Sequence, residues 1–412
     1  MTEDRTEGML SPYRVLDLAD EKGLQCGKLL GDLGADVIKV ERPGGDPARN
    51  LGPFYHDEVD PEKSLFWFAY NANKRGITLD IESTDGKKIF KKLVKSADFL
   101  VESFPPGYMG KLGLGYEALA KIKPDIIMVS ISPFGQTGPY RDLKYSDIVI
   151  RALGGRLYAV GDYDRPPVRI SHHTQIYLQA GLEGAMTAVM ALYHRQMTGE
   201  GQYIDLSIQA AAAQTGDAAW DVRKVVTPRG GQITTLNIPR VWKCKDGIVN
   251  WAFMPSTMMP GRNADFVRWM DAEGMADDYL KNFDWSKFDY TTLTQETIDR
   301  MAEPTAKFFL AHTKVELLEG AVKHRILFYP QFTTSDILES EQLAAREFWL
   351  DLEHPELGTS IRYPGPFVKL SETPIQIKQR APLIGEHNQE IYGKELGMSS
   401  KEIQALKKAK VI

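Results

Sequence analysis

Apolar residues along the first two hundred positions come in short runs that alternate between two periods. Tyr13-Arg-Val-Leu-Asp-Leu reads as a short strand. From Gly23 to Leu33 the leucines at 24, 29, 30 and 33 fall at helical spacing, and Gly34 stands where a helix stops. Asp36-Val-Ile-Lys-Val-Glu is a β-branched run and predicts a second strand. The alternation continues with a strand at Gly76-Ile-Thr-Leu-Asp-Ile, a helix from Ser83 to Ser96 and a strand at Asp98-Phe-Leu-Val-Glu. A helix over Tyr116 to Lys121 is stopped by Pro124, and Asp125-Ile-Ile-Met-Val-Ser-Ile-Ser is a further strand. A long apolar helix over 176–195, a turn at Thr198-Gly-Glu-Gly-Gln and a strand at Tyr203-Ile-Asp-Leu-Ser-Ile close this part. Short connections between alternating strands and helices predict an α/β fold with a parallel, doubly wound sheet.

The pattern breaks near 220. From there to 329 it is irregular and rich in aromatic residues, which predicts a smaller α+β domain. After it come a strand near Ile361-Arg-Tyr, a loop at Pro364-Gly-Pro and a helix from Ser399 to Lys410. The expected division is therefore a large-domain part over 1–219, a small domain over 220–329, and a return to the large domain over 330–412.

Composition narrows the function. The 412 residues are 43% hydrophobic and 25% charged, as in a globular enzyme, which excludes a disordered or fibrous chain. A net charge of −5 argues against a nucleic-acid partner. Cys26 and Cys244 are the two cysteines, too few and too far apart for a disulfide framework or a cysteine zinc site. No signal-peptide core and no membrane-length apolar run occurs, so the cytoplasm is the expected compartment and no membrane partner is expected.

Gly44-Gly45 beside Arg42 and Arg49 suits a phosphate, as it also suits a plain surface loop. The same two readings hold for Lys74 and Arg75 before Gly76. No GxGxxG follows the first strand, and there is no Walker sequence and no GxSxG elbow. His172 and His173 lack a carboxylate-rich setting, so no metal site is expected. The residues alone lead to an α/β protein that binds a phosphorylated small molecule.

A longer set of motifs is more specific. Val15-Leu-Asp-Leu, Leu33-Gly-Ala-Asp-Val-Ile-Lys-Val-Glu-Arg-Pro-Gly-Gly-Asp and Asn71-Ala-Asn-Lys-Arg-Gly-Ile-Thr-Leu-Asp are followed by Ala97-Asp-Phe-Leu-Val-Glu-Ser-Phe-Pro-Pro-Gly. Leu112-Gly-Leu-Gly-Tyr-Glu-Ala-Leu, Val129-Ser-Ile-Ser-Pro-Phe-Gly-Gln-Thr-Gly-Pro and Ala381-Pro-Leu-Ile-Gly-Glu-His-Asn come in the same order. The chain so resembles the class III, formyl-CoA transferase-like CoA-transferases over nearly its whole length, most weakly at 220–330.

The resemblance implies a Rossmann-like large domain built from both chain ends, a small inserted domain, and an interlocked dimer. It implies coenzyme A or an acyl-CoA as substrate, a small carboxylic acid as the second substrate, and no covalently bound cofactor. Carried over by position, the CoA contacts are Arg42, Asn73, Lys74, Arg75, Phe104 and Lys111. Lys22 stands where relatives often have glutamine. The family nucleophile is an aspartate, and its position here is Tyr177. A phenol, with a pKa near ~10, is mostly un-ionised at neutral pH and has no acyl carbon to carry CoA. Where the racemase branch has Gly-His-Asp, this chain has Tyr145-Ser-Asp. Asp162, Asp164 and Glu183 are the carboxylates nearby in sequence, and Glu183 lies about 240° around a helix from Tyr177.

Some family members are built from two related subunits, the succinyl-CoA:benzylsuccinate CoA-transferase of anaerobic toluene breakdown among them. The resemblance therefore implies a subunit without the aspartate, beside an Asp-bearing paralogue in an interlocked heterodimer or heterotetramer, with succinyl-CoA as donor. The alternatives are a stand-alone transferase using another carboxylate and a CoA-binding regulatory protein without turnover.

Overall fold

The computed structural model describes residues 8–155, 157–158, 160–161, 165–169, 174–214 and 236–412. Asp162, Asp164, His172, His173 and the composition break near 220 lie outside them. The chain divides into two compact units, Met1–Gly230 with Glu347–Ile412, and Gly231–Arg346.

The first unit carries β1 (Arg14–Leu18), α1 (Leu24–Asp32), β2 (Asp36–Glu41), α2 (Leu65–Asn71), β3 (Lys74–Thr78), α3 (Thr84–Val94) and β4 (Phe99–Glu102). It continues with α4 (Tyr108–Lys111), α5 (Tyr116–Ala120), β5 (Ile127–Ser132), α6 (Asp147–Leu153), α7 (Gln175–Thr198), β6 (Tyr203–Ser207) and α8 (Ile208–Gln214). The six strands form one parallel sheet in the order β3-β2-β1-β4-β5-β6. That is the strand order of the doubly wound nucleotide-binding folds, with the reversal point between β1 and β4.

Successive strand residues face opposite sides, and both sides are covered. Val15, Val37, Phe99, Val129 and Ile131 pack with α1 and α7. Leu16, Ile38, Ile77, Leu100 and Met128 pack with α3, α5 and the C-terminal segment. Ser83 caps α3 by accepting from Gly86 N–H at 3.0 Å. The third strand starts at Lys74, two residues before the Gly76 expected from hydropathy. A lysine can enter a buried strand here because Asp17, on β1, receives its ammonium at 2.8 Å.

α7 approaches α1 closely because Gly181 has no side chain. A Cβ there would lie 2.7 Å from Gln25 Cβ and 3.0 Å from Cys26 N. Alanine in a helix interior is worth ~1 kcal/mol over glycine, whereas forcing packed backbones apart costs ~1–3 kcal/mol. Gly181→Ala is therefore expected to lower stability in urea unfolding. A rise in midpoint would show that the two helices part freely.

The second unit holds β7 (Val241–Cys244), β8 (Gly247–Asn250), α9 (Arg262–Ala272), α10 (Asp278–Asn282), α11 (Gln295–Ala311), α12 (Lys314–His324), β9 (Tyr329–Pro330), α13 (Thr334–Leu338) and α14 (Glu341–Ala345). Its strands form a small antiparallel sheet in the order β7-β8-β9. Trp242, Trp251, Phe253, Phe266, Trp269 and Phe309 fill its core. The aromatic residues that looked irregular in sequence are the interior of an α+β unit.

The chain then returns to the first unit with the hairpin β10 (Trp349–His354) and β11 (Thr359–Pro364), a π-helical stretch at Gln389–Glu395, and α15 (Ser400–Lys408). Ser399 and Glu402 form a capping box on α15. The chain end is pinned to the sheet, since Asp80 N–H donates to Val411 O at 2.7 Å and Val411 and Ile412 are buried.

Candidate functional site

A cleft of about 540 Å³ opens at the carboxyl ends of β1, β2 and β3, where the strand order reverses. Asp20 follows β1, Arg42 follows β2, and Asp80 and Glu82 follow β3. Phe104 and Tyr108, after β4, form its flat wall, with ring centroids 4.6 Å apart and tilted by 32°. Tyr108 donates its hydroxyl to Glu82. Lys410, near the pinned chain end, is a second cation at the rim.

The floor is a buried ionic lattice. Arg49 holds Glu41 through Nε at 2.6 Å and Nη2 at 2.8 Å, and lies over the Trp67 ring at 3.9 Å. Glu41 also accepts from Asp46 N–H at 2.8 Å, which fixes the Gly44-Gly45 turn. Arg49 is thus spent on the fold and offers nothing to a phosphate. Gly44 and Gly45 hold φ of 93° and 96°, left-handed values that exclude most other residues.

The six expected CoA contacts do not gather in one place. Arg42 and Phe104 line the cleft. Lys111 is exposed on α4 and is not among the residues that line it. Asn73, Lys74 and Arg75 are engaged by partners within the fold. Lys74 is fully buried and donates to Asp17, to Leu24 O and to Asn71 Oδ1, at 2.8 to 3.0 Å. Asn73 donates to Asp32 and to Gln376 O and accepts from Lys378 N–H. Arg75 pairs with Asp36, Glu390 and Glu395. The physical reason is their position. They begin a parallel strand, and the cleft opens at the opposite, carboxyl ends. Lys410, Tyr108 and Glu82 were not singled out from sequence; the signal available for Glu82 and Tyr108 was that they closely follow strand ends.

Tyr177 lies in the first turn of α7 and is 3% exposed. Burial, and then the nearby Glu21 with Tyr145, Asp147 and Asp20, push its phenol above the ordinary tyrosine range. Lys22 is buried, pairs with Asp20 and stands over the Tyr145 ring at 5.6 Å. Burial opposes the Lys22 charge, but Asp20 and Tyr145 outweigh it and hold its pKa above the usual value. Asp147 accepts from Arg151 Nε at 2.7 Å. Tyr145, Asp147 and Asp20, far from Tyr177 in sequence, are therefore near enough to act on its phenol; Lys22 pairs with Asp20, which also lines the cleft. Glu183 is instead held by Gln179 Nε2 at 3.0 Å, one turn back along the same helix. Glu21, which sequence reasoning missed, is the carboxylate acting most strongly on Tyr177. Burial and then Asp20 raise the pKa of Glu21 itself.

Among the described residues no group of three His, Cys, Asp or Glu side chains forms a metal site, and no helix is long and apolar enough to cross a membrane.

A six-stranded parallel sheet with a cleft at its reversal point defines a doubly wound α/β protein. The chain belongs to CoA-transferase family III, whose model matches residues 10–388. It is 36% identical, over 92% of its length and 93% of the relative's, to a succinyl-CoA:(R)-benzylsuccinate CoA-transferase subunit, BbsE, of Thauera aromatica. It is 31% identical to the succinyl-CoA–L-malate CoA-transferase beta subunit of Chloroflexus aurantiacus, over 98% of both chains. Its fold matches a CAIB/BAIF family protein from Brucella suis with a TM-score of 0.78 and 27% identity, over 95% of this chain and 99% of that one. Family and relatives alike indicate CoA-transferase activity with CoA thioesters as substrates.

Proposed function

We propose that this chain is the subunit lacking the nucleophile in a heteromeric, succinyl-CoA-dependent CoA-transferase, and that it binds CoA at the β1–β4 cleft. The observation that carries the reading is Tyr177, a buried phenol at the position where the family places its attacking carboxylate. Two of the relatives named above are subunits of CoA-transferases that use succinyl-CoA, which supports both the donor and the heteromer.

In this reading an Asp-bearing paralogue, interlocked with this chain, does the covalent chemistry. Its carboxylate attacks the thioester carbonyl and expels CoA thiolate, leaving a mixed anhydride. The thiolate then attacks the enzyme-side carbonyl, which releases the donor acid and leaves an enzyme–CoA thioester. The acceptor carboxylate runs the two steps in reverse. This chain supplies a nucleotide cleft with Arg42 and Lys410 for phosphate charge and Phe104 and Tyr108 for a flat ring.

The expected result is no CoA exchange by the chain alone and turnover when it is co-expressed with the paralogue, assayed with succinyl-CoA and a panel of acids. Hydroxylamine trapping of an acyl or CoA ester on this chain would sink the reading. In calorimetry, Phe104→Ala and Arg42→Ala should each weaken CoA binding about tenfold, ~1.4 kcal/mol. Arg75→Ala should leave it unchanged, because its guanidinium is held by Asp36 at the other edge of the sheet.

One observation favours the stand-alone alternative: Glu21 is the carboxylate whose charge acts most strongly on Tyr177. Activity of the lone chain that vanishes in Glu21→Gln would establish it.

A further inference from the structure

A second cleft, of about 480 Å³, lies over β4, β5 and β6 on the sheet face that packs α3 and α5. The glycine-rich turn joining α4 to α5 roofs it, and Tyr108 lines both this cleft and the first.

Strand register sets its floor. Glu102 on β4 is opposite Ser130 on β5, and Ser130 is opposite Asp205 on β6. Glu102 is 3% exposed and accepts from Phe104 N–H at 2.7 Å through one oxygen. Ser130 is fully buried beside Glu102 and Tyr203, and its hydroxyl is close to both but forms no hydrogen bond of good geometry with either. A buried unpaired hydroxyl costs ~1–3 kcal/mol, so its retention on a cleft wall needs a reason. Asp205 is engaged, accepting from Gln136 N–H at 3.0 Å. The walls are the tilted pair Tyr116 and Tyr203, 5.7 Å between centroids, with Met109 and Met128.

These groups select by chemistry. A carboxylate in the floor rejects anions. One carboxyl acceptor beside one hydroxyl donor asks for a ligand edge with an N–H next to a ring acceptor. Two tyrosine rings ask for a flat body. We infer that this cleft binds a planar nitrogen heterocycle of the nucleobase type, with its N–H on Glu102, its neighbouring ring nitrogen on the Ser130 hydroxyl and its face on the Tyr116–Tyr203 pair. Burial pushes the Glu102 carboxyl up to about 7, so an N–H donor relieves a carboxylate that is costly to leave bare.

The test is a calorimetric titration of adenosine into the full chain, free and with CoA bound. The expected result is one site that persists with CoA present. Its dissociation constant should be on the order of 0.1 mM, ordinary for a ligand of that size. N6,N6-dimethyladenosine, which lacks the N–H donors, should not bind there. Tyr203→Ala should weaken adenosine at least tenfold. Ser130→Ala should do the same while raising the melting temperature of the free chain, because it removes an unpaired hydroxyl. The proposal is overturned if no adenosine site persists with CoA bound, or if both variants bind adenosine as the parent does. Whether CoA binds at all is read from its own titration. If it does not, adenosine is titrated into Phe104→Ala, which removes a ring that lines the first cleft and not this one.

Discussion

Lys74→Met is expected to remove a large share of the stability of the large unit. Lys74 and Asp17 are both fully buried and bonded at 2.8 Å, and the same ammonium also serves Leu24 O and Asn71. Methionine fills nearly the same volume but leaves Asp17 as an uncompensated charge inside the sheet. Breaking such a pair costs ~3–5 kcal/mol, out of a total of ~5–15 kcal/mol for a domain. Burial pulls the Lys74 pKa below its usual value despite Asp17, so the intact pair is itself worth little. The double variant Asp17→Leu with Lys74→Met should therefore recover much of what Lys74→Met loses. A loss under ~1 kcal/mol in urea unfolding of the single variant would show that water reaches Asp17.

Tyr177→Asp is expected to yield a less stable chain with at most trace transfer activity, so the aspartate alone does not restore an active subunit. The substituted side chain would sit where the present one is 3% exposed, facing Glu21, Asp20 and Asp147. Removing the ring leaves a cavity, and large-to-small changes of this kind cost ~2–5 kcal/mol. The carboxyl would also be desolvated and close to like charges, both of which raise its pKa in the folded state above the unfolded value near ~3.9. The sign follows. The folded chain then binds more protons than the unfolded one, so the variant loses stability as pH rises from the unfolded to the folded pKa. Its deficit against the parent should be larger at pH 8 than at pH 4. A deficit that shrinks with rising pH would mean that Lys22 or Arg151 has turned to pair the new charge. Turnover with succinyl-CoA comparable to an Asp-bearing subunit would mean that the aspartate was all the site lacked.

Much of this protein was legible in the residue order. Apolar runs of two periods announced the alternating strands and helices, because each run must cover one face of a sheet or one stripe of a helix. Ser83 and Ser399 cap the helices that follow them. The motifs from Val15 to Asn388 identified the family, which the match over residues 10–388 establishes. The distance of Glu183 from Tyr177 around α7 could be counted off the chain.

What the sequence could not assign was which charges are free. Lys74 and Arg75, next to Asn73, look like a cationic cluster beside a glycine. Yet their side chains are engaged by Asp17, Asp36, Glu390 and Glu395, and that of Asn73 by Asp32, up to 320 residues away. Side chains that begin a strand also lie on the far edge of the sheet from those that end it, about 16 Å off for five residues. Only the folded sheet decides which end holds the cleft. It also puts Tyr177 under the charge of Glu21, Lys410 in the cleft lining with Arg42, and Ser130 opposite Glu102. Local order fixes what a segment can become, because period and capping act within a few residues. Long-range pairing fixes what each polar group is left to do, because a charge buried against a distant partner is no longer available to a ligand.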